Sequence, residues 1–264
     1  MFRSLAVLFL GSFCLIQTVN AAAMGKEVEY KQGDVVLKGY LAYDDKIKGK
    51  RPGILVVHEW WGHNAYARKR ADMLASMGYT ALAVDMYGDG QQASHPKDAG
   101  KFAKAVAGNL ELAKARFTAA LDYLNKQSSV DPTRNAAIGY CFGGGIVLQM
   151  ARAGMDLKAV ASFHGSLGTQ NPAEKGQVKA DILVFNGAAD PFVKPEQVTG
   201  LVSEMSDAEA KLMLVSYPGV KHSFTNPGSN KFGEEFNLPL QYDKHADEDS
   251  WAIMGSYFDR VLKK

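Results

Sequence analysis

The chain has 264 residues, and its 30 Lys and Arg against 28 Asp and Glu leave a formal net charge of +2. That balance excludes the strong electrostatic footprint of a nucleic-acid binder or of a protein held on an anionic membrane surface. Hydrophobic residues make up 47% of the chain, enough for a full core, and the two cysteines, Cys14 and Cys141, exclude a disulfide framework.

Residues 1–21 read as a secretory signal peptide. Arg3 supplies the charged start, and Leu5 to Ile16 form an apolar stretch of about twelve residues, too short to cross a bilayer. Val19-Asn20-Ala21 offers small residues for cleavage, with Ala22 and Ala23 as alternatives. Cys14 follows Phe13 inside the apolar stretch, unlike a lipoprotein acylation site. An uncleaved anchor is the competing reading. Cleavage predicts an exported protein, suited to a bacterial periplasm, with residues 22–264 forming one domain and no membrane attachment. Losing Arg3 takes its net charge from +2 to +1.

Glu27 to Tyr30 and Val35 to Tyr43, separated by Gly33, predict an N-terminal antiparallel hairpin. Short apolar runs then alternate with helical patterns. Strands are predicted at Ile54–Val57, Thr80–Val84, Ala136–Ile138, Ala159–Phe163, Ile182–Phe185 and Leu212–Val215. Helices are predicted at Ala65–Met77, in two pieces between Lys97 and Lys126 broken at Gly108, and at Gly144–Ala153, Pro195–Asp207 and Asp247–Leu262. Wholly apolar strands spaced by helices imply an α/β fold, a mostly parallel sheet covered on both faces. Thr225 to His245, with Pro227, Gly228, Gly233 and Pro239, reads as a long structureless loop, a candidate lid or pocket wall.

The polar residues of interest each follow a predicted strand, where an open parallel sheet places its ligands. Cys141 stands in Gly139-Tyr140-Cys141-Phe142-Gly143, a nucleophile-elbow pattern with cysteine as the nucleophile. Asp190 follows the strand ending at Phe185, and His222 follows Leu212 to Tyr217. The order nucleophile, acid, histidine is that of α/β-hydrolases. A thiol needs a base to become a strong nucleophile, which His222 would supply while Asp190 fixes its tautomer. The competing readings are a surface histidine in a Gly/Pro loop and a turn-capping aspartate. His164 is a further polar candidate at the pocket rim, ranked below His222 because it precedes the acid.

These runs, together with Gly187-Ala188-Ala189-Asp190-Pro191, His222-Ser223-Phe224 and Val57-His58-Glu59-Trp60-Trp61-Gly62, resemble the dienelactone hydrolases, the carboxymethylenebutenolidase group of the α/β-hydrolase fold. The resemblance covers nearly the whole mature chain. It implies ester or lactone hydrolysis without a cofactor. It also implies that Glu59 contacts the resting thiol of Cys141 and helps form the thiolate, and that the Phe142 and Trp60 amides form an oxyanion hole. Trp61, Tyr87, Phe192 and Phe224 flank the motifs and are candidate pocket residues, with core packing the alternative.

The family holds its substrate's carboxylate with two arginines, one after the Asp-x-Tyr strand end and one after the histidine. Here those regions read Asp85-Met86-Tyr87-Gly88-Asp89-Gly90 and His222-Ser223-Phe224-Thr225-Asn226, without arginine. No two-pronged carboxylate clamp can be built from them, unless Lys221 or Lys231 substitutes. A small-molecule ester or lactone other than the dienelactone is therefore expected. His58-Glu59-Trp60-Trp61-Gly62-His63 has the wrong spacing and setting for a helical zinc motif, so no metal is expected. Open rivals are an esterase or thioesterase on another acyl group, and a thiol redox or binding protein on the same fold.

Overall fold

The computed structural model describes residues 24–263, so the segment read as a signal peptide lies outside the described residues. Eight strands form one sheet in the order β1-β2-β4-β3-β5-β6-β7-β8. β1 (Met24–Gln32) and β2 (Val35–Tyr43) form the predicted hairpin, and β2 joins β4 (Thr80–Val84) antiparallel. From β4 onward every pairing is parallel, through β3 (Arg51–Val57), β5 (Val130–Tyr140), β6 (Ala159–Phe163), β7 (Asp181–Gly187) and β8 (Leu212–Tyr217).

Side chains alternate across a strand, so the apolar run of β3 feeds both faces. Leu55 and Val57 point into the core layer that also holds α2 (Pro96–Ala107), α3 (Leu110–Asn125), α4 (Phe142–Arg152) and α5 (Pro195–Asp207). Ile54 and Val56 pack with α1 (Ala65–Ser76) and α7 (Lys244–Leu262). Both layers are needed because a strand buried on two faces has no polar side to give to water.

Local chemistry sets the helix boundaries. Asn64 caps α1 by accepting from the Tyr66 N–H at 3.1 Å. Pro96 opens α2, and Asn109, after the break at Gly108, caps α3 through the Leu112 N–H at 3.0 Å.

The segment from Thr225 to His245 is not structureless. It holds α6 (Ser229–Phe236), and α7 begins at Lys244. Phe232 and Phe236, one helical turn apart, face Trp61, with ring centroids 4.4 and 6.2 Å away. Asn237 then takes a left-handed conformation (φ 51°), and Leu240 bridges back to His222. Of the residues that suggested a loop, Pro227, Gly228 and Pro239 flank this helix, while Gly233 lies inside it.

Candidate active site

Cys141 sits between β5 and α4, with φ 53° and ψ −114°. A side chain rarely occupies this region, and holding one there costs about 1–3 kcal/mol. The surrounding turn over-determines it. The Cys141 N–H donates to the Phe163 carbonyl at 3.0 Å and to His164 Nδ1 at 3.1 Å. The turn closes only on glycine: a Cβ at Gly139 would lie 2.1 Å from the Gly143 carbonyl oxygen, and one at Gly143 would lie 2.3 Å from that of Val57. The result is a half-buried thiol at the tip of the turn.

Asp190 and His222 come from the ends of β7 and β8, whose loops are joined by backbone bonds from Ala188 to Tyr217 and from Ala189 to Val220. Asp190 Oδ1 accepts from the Phe192 N–H at 2.8 Å, and Oδ2 accepts from His222 Nδ1 at 2.6 Å. Both side chains are buried. That pairing leaves Nε2 free to serve Cys141, which lies close enough to act on the ring. Burial works against a charged imidazole here. The proximity of Cys141 and the bond to Asp190 outweigh it and push His222 up to about 10. The predicted base and acid thus form one hydrogen-bonded pair, with the predicted nucleophile beside the same ring.

The Phe142 N–H opens α4, where a helix leaves its first donors without intrahelical partners. Among the described residues neither it nor the Trp60 N–H bonds to another protein group, while the Gly143 N–H is taken by the His58 carbonyl at 3.2 Å. The peptide carrying the Trp60 N–H is fixed by His58, a residue whose part the sequence reading missed. The Met86 N–H donates to His58 Nε2 at 3.2 Å, so Nδ1 carries the proton and donates to the Glu59 carbonyl at 2.6 Å. Burial pushes His58 down to about 4, which keeps the ring neutral in this role. With both nitrogens engaged, His58 has none left for a metal. Among the described residues there is no group of three or more His, Cys, Asp or Glu arranged to hold one.

Glu59 departs from expectation. Its Oε1 accepts from the Ser223 hydroxyl and its Oε2 from Asn226 Nδ2 at 2.6 Å, and it makes no hydrogen bond to the Cys141 thiol. Burial raises its carboxyl above the usual range, against the opposing pull of those two bonds. Here Glu59 ties the end of β3 to the loop that carries His222, and the thiol faces His222 instead.

The candidate pocket residues divide. Tyr87 is buried beside Cys141 and donates its hydroxyl to the Trp60 carbonyl at 2.9 Å. Phe192 is 51% exposed and stands edge-on to His222, at the mouth of the site. Phe224 and Trp61 are corrections. Phe224 lies wholly in the core between His164 and Tyr217, and Trp61 is covered by Phe232. His164 is also no rim residue but fully buried. Beside Phe142 a cleft of about 470 Å³ runs along α4, lined by Leu110, Ile146, Gln149, Ser166, Thr169 and Asn171 among others, all uncharged.

The model of the dienelactone hydrolase family matches residues 37–262. The chain belongs to that family. As a dienelactone hydrolase family member it has the α/β-hydrolase fold and is an ester or lactone hydrolase. It is 28% identical to protein usf of Aquifex pyrophilus over 90% of this chain and all of that one. Among solved structures it resembles a dienelactone hydrolase-like promiscuous phosphotriesterase from metagenomic libraries, with 32% identity, a TM-score of 0.85 and coverage of 91% of this chain and 99% of the other. A protein called m3DLH, at 34% identity, has the same TM-score and coverage.

Proposed function

We propose that this family member is a cysteine hydrolase of uncharged carboxylic esters and lactones, with Cys141 as nucleophile, His222 as base and acid, and Asp190 as the group that orients His222. The Asp190 to His222 hydrogen bond, with Cys141 at the tip of its turn beside the same ring, supports this reading. His222 takes the thiol proton as the sulfur attacks the acyl carbon, and the carbonyl electrons move onto oxygen, where the Phe142 and Trp60 N–H groups stabilise the charge. His222 then gives a proton to the departing alkoxide, leaving an acyl-thioester on Cys141. Water attacks that thioester with His222 as base, releasing the acid and regenerating the thiol.

The charge pattern supports a neutral substrate. Of the arginines near the motifs, Arg70 is committed to Asp247 and the Thr225 carbonyl, and Arg116 to the Met86 carbonyl. The cleft beside Phe142 adds no charge of its own. A carboxylate entering it would lose part of its hydration without gaining a charged partner. The phosphotriesterase relative favours one further arm in any test, an uncharged phosphotriester.

Initial rates on a neutral activated ester, a neutral lactone, a dienelactone and a neutral phosphotriester check the proposal. The neutral carboxylic substrates are expected to exceed the anionic dienelactone by about tenfold or more in kcat/KM, the scale of one lost charged contact. A clear preference for the dienelactone would overturn the neutral-substrate reading.

A further inference from the structure

His164, at the end of β6, has a place that neither the hydrolytic steps nor core packing requires. The ring is fully buried, and the residue itself is held at φ 41°, with its N–H on the Phe185 carbonyl at 2.8 Å. One ring nitrogen, Nδ1, takes a share of the backbone N–H of Cys141 at 3.1 Å, the same N–H that also donates to the Phe163 carbonyl at 3.0 Å. An amide can only donate, so Nδ1 is the bare acceptor and the proton sits on Nε2. That proton goes to the Thr225 hydroxyl, 2.7 Å away. The ring face also meets the edge of His222, with centroids 5.2 Å apart.

Thr225 lies three residues after His222 and is itself anchored. Its hydroxyl shares a 2.6 Å hydrogen bond with Tyr66, and its carbonyl accepts from Arg70 at 2.7 Å. Arg70 also donates to the Tyr66 hydroxyl at 3.1 Å and pairs with Asp247 on α7. It is buried against Tyr66, Tyr140 and Trp251. The groups around His164 are thus His222, Tyr140, Phe224 and Thr225, with the Arg70 charge behind them.

We infer that His164 is a positioning residue: its two ring nitrogens bolt the strained nucleophile turn at Cys141 to the Thr225 end of the loop that carries His222. The inference rests on the proposed roles of Cys141 and His222. A phenylalanine would fill the same space. What imidazole adds is an acceptor for one catalytic loop and a donor for the other, at opposite ends of a rigid ring. Burial keeps the ring well below the usual histidine range, so it stays neutral and keeps its acceptor. The geometry fixed in this way is the direction of the sulfur relative to the His222 ring. A displacement of about 1 Å in such a pair costs on the order of a hundredfold in rate.

The test compares wild type, His164→Phe, His164→Asn, Thr225→Val and the double variant His164→Phe/Thr225→Val, on the same neutral activated ester, with Cys141→Ala as control. His164→Phe is expected to lower kcat by roughly 10- to 100-fold while KM stays within about threefold. His164→Asn, whose Oδ1 can stand where Nδ1 stood but which has no atom where Nε2 reaches Thr225, is expected to lose activity about as Thr225→Val does, since both keep the Cys141 end and lose the Thr225 end. Thr225→Val is expected to lower kcat, and the double variant to fall no further than His164→Phe alone, because both act on one linkage. Wild-type kcat in His164→Phe, wild-type kcat in His164→Asn, or additive losses would each overturn the inference. If His164→Phe does not fold, the kcat of Thr225→Val and His164→Asn decides: the inference needs a loss in both, and a wild-type rate in either overturns it. Undiminished activity in Cys141→Ala would instead mark failure of the proposed mechanism itself.

Discussion

Cys141→Ala is expected to lower kcat/KM for a neutral ester by about 10⁴-fold or more, the scale on which removing a nucleophile from a working triad acts. The thiol is the group at the tip of the turn, and it faces the one imidazole that is oriented by a carboxylate. Alanine keeps the backbone of the turn, the Phe142 and Trp60 amides and the cleft. Binding should therefore persist while acyl transfer stops. The melting temperature is expected to stay within a few degrees of wild type, because only one sulfur atom of a half-buried side chain is lost. Measured together, rates and melting curves separate loss of chemistry from loss of fold. Activity equal to wild type would rule out Cys141 as the nucleophile.

Asp190→Asn is expected to lower kcat by about 10³- to 10⁴-fold, by a mechanism the geometry makes specific. The Phe192 N–H donates to Oδ1, so an asparagine keeps its carbonyl oxygen there. Its NH₂ then faces His222 Nδ1, which must become the acceptor. The ring proton is driven onto Nε2, the nitrogen that faces Cys141, and the base can no longer take the thiol's proton. Among the described residues no other group bonds to Nδ1, so nothing restores the tautomer. Asp190→Ala removes the wrong donor as well as the right acceptor. It is expected to retain more activity than Asp190→Asn, and steady-state kinetics of the two variants side by side check this. Equal losses in both would mean that the tautomer is not what Asp190 controls.

Much of the fold was legible because buried strands and capped helices carry local signals. Thr80–Val84 and Pro195–Asp207 are read at the boundaries the structure gives them. The Cys141 turn was legible for the same reason, since its two glycines answer to clashes with nearby backbone. α6 was not, because its eight residues carry several chain-breaking neighbours, and its stability comes from Phe232 and Phe236 meeting Trp61 far back in the sequence. The same distance hid the partners of Glu59. Ser223 and Asn226 lie 164 and 167 positions away, and no periodicity records a hydrogen bond across that span. Phe224 and Phe192 show the limit most plainly. Each adjoins a catalytic motif, yet one is sealed in the core and the other stands half in solvent, a difference set by which way each loop turns after its strand.

The acyl-thioester is the species on which the account depends. Rapid quenching of the wild-type enzyme in acid during turnover of a neutral activated ester, followed by mass spectrometry of the intact chain and its peptides, looks for it directly. The account predicts one added acyl group, on the peptide containing Cys141, absent from Cys141→Ala and longer-lived when His222 is replaced by alanine. An acyl group carried by a different residue, or steady turnover with the mass of Cys141 unchanged at every time point, would contradict it.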